Sequence, residues 1–185
     1  MGIDSLYQAL AAHGGTLATL LVAASPDGAA VSPDGDAEQP GFGAPALAAR
    51  GPRAVGHEAE YELLLEMILE GSLLHYGRSR VVATNDRDLE LLLGDQLYAL
   101  GLSLLAELGD VEAVSELADL ISLLSEAQLS DDPELARAIW DAGAVAVGWG
   151  PTTEYEAAKA LARGGDAGAT AALVECCGRA LDQRL

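Results

Sequence analysis

Asp86-Arg87-Asp88-Leu89-Glu90-Leu91-Leu92-Leu93-Gly94-Asp95-Gln96-Leu97-Tyr98-Ala99-Leu100-Gly101-Leu102-Ser103-Leu104-Leu105-Ala106-Glu107-Leu108 is the stretch on which the fold reading turns. Asn85 or Asp86 suits an N-cap, no proline interrupts the run, and Gly109-Asp110 ends it, so the spacing predicts one long helix. At ~1.5 Å per residue such a helix is roughly 34 Å long, enough to cross a small domain. Its leucines fall on nearly every side. Neighbouring helices of one small chain cannot cover all of them, so Leu89, Leu93, Leu97, Leu100 and Leu104 are candidates for an interface with a second copy or a partner protein. Glu90, Asp95 and Gln96 interrupt the run, and no integral membrane segment is expected from it.

The same pattern continues on both sides. Upstream, His57 to about Gly77 carries Leu63, Leu64, Met67, Ile68 and Leu74 at helical spacing, with Leu65, Leu69 and Leu73 on a second face. Downstream, a helix spans Val111 to about Gln128. Asp131-Asp132-Pro133-Glu134 opens another, with Pro133 in its first turn, Thr152 or Thr153 caps a fifth, and Asp166 opens the last. Long helices joined by short polar turns give an all-α helical bundle.

Three regions follow. Residues 1–24 read as an N-terminal helix. Residues 25–56 hold five of the seven prolines and the repeated turns Ser25-Pro26-Asp27-Gly28 and Ser32-Pro33-Asp34-Gly35, so they read as a flexible linker that contributes little to the fold. Phe42, the only phenylalanine, is its one anchor, placed to dock on the bundle or on a partner. Residues 57–185 form the helical body, and 185 residues in all fit a single domain.

Two segments, Ser72-Leu73-Leu74-His75-Tyr76-Gly77-Arg78-Ser79 and Leu93-Gly94-Asp95-Gln96-Leu97, together resemble the helix–loop–helix of the trans-isoprenyl diphosphate (polyprenyl) synthases. In that family an S-L-L-H-like helix end runs into D-D-x-x-D, a basic loop, and a helix opening L-x-G-D-x-L. Here Tyr76 and Gly77 stand where the resemblance places aspartates, and no carboxylate occurs before Asp86. The basic N-terminal diphosphate motif has its nearest counterpart in Gly14-Gly15-Thr16-Leu17-Ala18, which has no cation, and a second aspartate-rich motif has no match. Ionising an allylic diphosphate needs Mg²⁺ held by such carboxylates. The resemblance therefore implies a truncated, degenerate scaffold whose vestigial site is His75, Arg78, Arg80 and Asp95, with no cofactor and no catalysis expected. It implies an accessory or interaction subunit of cytoplasmic location. The alternative is a module holding an isoprenoid lipid in an apolar tunnel beside the small residues Ala99, Gly101 and Ala106.

Charge and composition narrow the function classes further. With 29 acidic residues against 10 basic ones the formal charge is −19, and Lys159 is the only lysine. Such a surface repels nucleic acid and anionic membranes. Apolar residues make up 50% of the chain and aromatic ones 4%, favouring helices built on small and medium side chains. Ile3 to Ala24 lacks the leading cation of a secretory signal and carries Asp4, Gln8 and His13. Cys176 and Cys177 are adjacent, imply no structural disulfide, and have no nearby base to make either a nucleophile. Asp131-Asp132 reads as an acidic cap rather than a metal site, and Asp34, Asp36 and Glu38 lack the offsets of a calcium loop. Arg78, Arg80 and Arg87 form the basic cluster, placed to neutralise neighbouring acids or grip a partner's carboxylates. No phosphate-loop, nucleophile-elbow or zinc spacing is present.

Overall fold

The computed structural model describes residues 2–22 and 41–182, and among these the helical periodicity becomes nine α-helices. They are α1 (Gly2–His13), α2 (Gly15–Leu20), α3 (Ala44–Ala48), α4 (Glu58–Tyr76), α5 (Arg87–Glu107), α6 (Val111–Leu129), α7 (Pro133–Trp149), α8 (Thr153–Arg163) and α9 (Ala169–Asp182). A 3₁₀ turn at Pro52–Ala54 joins α3 to α4. The fold is all-α. Its only extended pairing among the described residues is Leu21 against Val82, where the Val22 N–H donates to the Val81 carbonyl at 2.9 Å.

Local chemistry accounts for the helix starts. The Asp86 carboxylate accepts from the Asp88 and Leu89 N–H groups, Asp110 from Ala113, Asp132 from Leu135 and the Thr152 hydroxyl oxygen from Tyr155. Each satisfies donors that the first helical turn leaves open. Asp132 is thus the cap of α7, as its position before Pro133 implies.

Helix α4 is the spine, buried on most sides from Tyr61 to Leu74. It makes its most extensive contact with α5. Two glycines set that distance: a Cβ on Gly94 would stand 3.1 Å from the Gly71 carbonyl oxygen and 2.7 Å from the His75 ring. A larger core joins α3 to α9 around Tyr61, Ile68, Leu120 and Trp140. A smaller one seats Leu6, Leu10 and Leu17 of the N-terminal helices on Met67, Leu74, Leu93 and Leu97.

The structure corrects three expectations. The N-terminal helix is two helices, broken where Gly14 and Gly15 take φ of 78° and 69°. The proline-rich segment is not all linker: residues 41–56 belong to the larger core, where Ala44, Ala48 and Ala54 are fully buried. Pro45 and Pro52 lie in the first turns of α3 and the 3₁₀ helix, where a missing N–H costs nothing. Phe42 packs against this core and lies under the Arg80 guanidinium at 5.3 Å. The remainder of the expected linker, residues 25–40, lies outside the described residues.

The third correction concerns the five leucines nominated as an interface. Leu93 and Leu97 are buried inside the chain, Leu89 and Leu100 pack on the smaller core, and Leu104 packs on the larger. Their spacing of three and four residues puts them on a single face, and that face is the one α4 covers. The leucine of α5 that faces solvent is Leu92, 65% exposed.

Candidate functional site at the ends of helices α4 and α6

His75, one residue before the end of α4, and Asp95, on α5, are brought together. The imidazole Nε2 lies 3.1 Å from an Asp95 carboxylate oxygen but off the line a hydrogen bond requires. The ring stacks on Tyr98 with centroids 5.3 Å apart and is tilted against Tyr76 at 5.6 Å. Gly94 makes this possible, since any side chain there would occupy the imidazole's place. The Tyr98 hydroxyl is buried, and burial, with Tyr76 and Asp95 adding to it against Ser72, pushes its pKa well up.

The two arginines of the expected site do not join this pair. Arg78 is exposed on the lip of a second cleft, about 280 Å³, which Thr84, Asn85 and Glu90 also line. Arg80 turns inward. It pairs with Glu66 at 2.7 Å and with the fully buried Glu70 at 2.9 Å, and Ser79 and two backbone N–H groups complete the Glu70 shell. Burial opposes the Arg80 charge, but the two carboxylates outweigh it and raise its pKa. Arg87 closes the end of α4 by donating to the Leu74 carbonyl at 2.8 Å and to that of His75. Arg78, Arg80 and Arg87 thus lie in three different surroundings.

Tyr76 donates to the Ser125 hydroxyl of α6 at 2.9 Å, tying the position where the resemblance expects a metal-binding aspartate to a neighbouring helix. Beside it opens a cleft of about 250 Å³ walled by Ser72, Tyr76, Gln128, Asp131, Asp132 and Trp140. One face of the indole is covered by Gly41, whose φ of 94° carries the backbone so close that a Cβ would lie 2.8 Å from the ring. Asp131, at φ 53°, is the one residue other than glycine with positive φ among the described residues. The sequence alone reads Asp131 as part of a cap and does not join Gln128 to Trp140, because the elements that bring them together pack only in the fold.

Two other charged clusters are structural. Asp110 accepts from Arg53 Nε at 2.9 Å and Tyr61 at 2.6 Å. Arg53 chiefly, helped by Tyr61 and the Ala113 N–H against burial, holds its pKa at about 2. Burial first, then Asp110, raises Tyr61 to about 12. Lys159, 1% exposed, reaches Glu116, Asp119 and Glu156 at 2.7–2.8 Å. Burial opposes its charge, yet those hydrogen bonds prevail and its pKa is raised. Burial lifts the Cys177 thiol to about 11 and raises that of Cys176, so neither is a ready nucleophile.

Among the described residues no group of three or more His, Cys, Asp or Glu side chains is placed to hold a metal ion. Ala99 and Ala106 are exposed, and Ile68 and Leu64 fill the space at Gly101, where a Cβ would lie 2.8 Å from Ile68. These three small residues therefore do not border an internal tunnel. No family model, no curated protein and no solved structure matches the chain.

Proposed function

We propose that the chain is a non-catalytic helical protein, similar in descent to polyprenyl synthases, that acts by association with a second copy or a partner protein. The outward flank of α5 carries this reading. The helix is long and apolar, yet only 28% of its most apolar 18-residue window is buried within the chain. Leu92 stands at 65% exposure, and Ala99, Ser103 and Ala106 continue the same side with small side chains that allow close approach. Leu92 and these small side chains, with Asp88 and Asp95 on the same side, form a small apolar patch that is favourable when covered. The absence of catalysis is supported by the fate of the positions that would hold a diphosphate–metal complex: Tyr76 is tied to Ser125 and Arg80 is spent on Glu66 and Glu70.

The test is light scattering of the purified chain from 1 to 100 μM at ~0.15 M salt, a range in which a specific dimer dissociates measurably, beside the Leu92→Glu variant. Association by the wild-type chain, weakened at least tenfold by Leu92→Glu, is expected. A wild-type monomer throughout, with no stoichiometric partner co-purifying from its own cells, overturns the reading. Chain elongation from allylic and homoallylic diphosphates with Mg²⁺ would overturn the non-catalytic part.

A further inference from the structure

Resting on the reading of α5 as an interface, we infer that its outward flank takes a basic amphipathic helix of a partner protein in preference to a second copy of this chain. Asp88, Leu92, Asp95, Ala99, Ser103 and Ala106 are exposed at steps of three or four residues, with Glu107 at the end of the row. They therefore run down one side of a helix of 21 residues, roughly 31 Å long. Every ionised group on that side is an acid. Asp88 and Glu107 form no ion pair among the described residues, and Asp95 meets only the His75 ring nitrogen at 3.1 Å. No lysine or arginine occurs from Asp88 to Glu107, and Arg87, the one cation of the helix, is drawn to the Leu74 and His75 carbonyls and to Glu90.

Charges beside an apolar seam select the partner when helices pair. A second copy laid on this flank brings carboxylates against carboxylates. In a parallel pair Asp88 and Asp95 face their own counterparts, and in an antiparallel pair the Asp88 end of one helix lies beside the Glu107 end of the other. Nucleic acid and anionic membranes meet the same repulsion. A helix with apolar residues three and four positions apart, edged by lysines or arginines, meets both requirements. Its apolar side covers Leu92, the small Ala99, Ser103 and Ala106 let its backbone come close, and its cations reach Asp88 and Asp95. Because the apolar part is small, charge carries much of the recognition, and binding loosens as salt rises. Self-association through the same flank responds to salt in the opposite direction.

The experiment titrates the full chain into a fluorescein-labelled, amidated peptide of three Leu-Lys-Ala-Leu-Lys-Lys-Ala repeats and follows anisotropy, beside the same peptide with glutamate for each lysine. Saturable binding of the lysine peptide alone is expected, loosening at least fivefold between ~0.05 and ~0.3 M sodium chloride. A chain of charge −19 attracts any polycation loosely, so two double variants of equal charge are compared. One joins Asp88→Asn to Asp95→Asn, and the other joins Glu154→Gln to Glu175→Gln on α8 and α9, which pack on α6 and α7. All four carboxylates are exposed, so the fold does not depend on them. The first pair and Leu92→Glu are each expected to weaken binding at least fivefold and the second pair less than twofold, with circular dichroism unchanged. Equal losses from the two pairs, or equal binding of the two peptides, overturn the assignment. A chain that ignores the lysine peptide yet associates with itself through Leu92 also overturns it, and leaves the reading of α5 as an interface standing with a second copy as occupant. A chain that does neither overturns both.

Discussion

Gly94 carries a purpose that its place in a G-D motif conceals. The residue lies in the close seam between α4 and α5, and its missing Cβ is what admits the His75 ring there. Gly94→Ala would place a methyl 2.7 Å from that ring and 3.1 Å from the Gly71 carbonyl, so both helices would have to move apart. Overpacking of this kind costs about 1–3 kcal/mol, offset in part by the better helix propensity of Ala, ~1 kcal/mol. Urea unfolding should show a net loss of roughly 1–2 kcal/mol, and a gain in stability would mean that the seam yields without strain. Asp110 is the second residue whose chemistry can be read directly. Its pKa is depressed to about 2 by Arg53, so its contribution is complete above the unfolded value of 3.8 and fades as pH falls through about 2. Asp110→Asn keeps a capping side chain but loses the charged partner of Arg53, at a cost of about 1.5–3 kcal/mol near neutral pH. The difference between wild type and variant should narrow below pH 4, and a constant gap from pH 7 to 2 would show that the carboxylate charge contributes nothing.

At the scale of elements, the helix starts were visible in the sequence and α3 was not. Capping is a local matter: Asp86, Asp132 and Thr152 accept N–H groups two or three residues away, so their positions alone announce them. Helix α3 lies in Pro40-Gly41-Phe42-Gly43-Ala44-Pro45, a composition that reads as loop because its apolar groups are so small. What makes it a core element is distant: Ala44 and Ala48 pack into the larger core that α4 and α7 build, and Arg53 reaches Asp110 at the start of α6. The site shows the same division. The resemblance groups His75, Arg78, Arg80 and Asp95, whereas the structure sets His75 beside Asp95 and holds Arg80 on Glu66 and Glu70. Nothing in the sequence joins Tyr76 to Ser125 or either to Trp140, because those contacts exist only once the α4–α5 and α6–α7 pairs have packed. A segment held in this way should resist exchange with solvent. The amides of Ala49, Gly51 and Ala54, bonded to the Pro45, Ala48 and Gly51 carbonyls, are expected to exchange with hydrogen-exchange protection near that of α7. Exchange at the rate of an open chain would return the segment to the linker it resembles in composition.

The whole molecule carries its charge unevenly balanced, and that imbalance decides how it responds to salt. Arg80 and Lys159 neutralise carboxylates that are buried, and their own side chains are 13% and 2% exposed, so dissolved ions screen those pairs little. The exposed pairs, Arg179 with Glu175 and Arg87 with Glu90, are worth at most about 1 kcal/mol each and lose part of that in salt. Against them stands an excess of 19 negative charges on a single small domain. At ~0.01 M salt the Debye length is about 30 Å and those charges repel across the whole bundle, whereas at ~0.15 M it is about 8 Å and only near neighbours interact. Relief of self-repulsion therefore outweighs the weakening of a few surface pairs, and the melting temperature should rise with sodium chloride over this range. A gain of ~1 kcal/mol corresponds to roughly 2–4 °C for a chain of this size. The same screening governs association through α5, because two copies must bring their negative surfaces together before Leu92 and its neighbours can be covered. Self-association should thus tighten as salt rises from 0.01 to 0.15 M, roughly the range over which the screening length shrinks below the span of a helix pair. A melting temperature that falls with salt, or a dimer that loosens, would place the dominant electrostatic term in the ion pairs and not in the net charge.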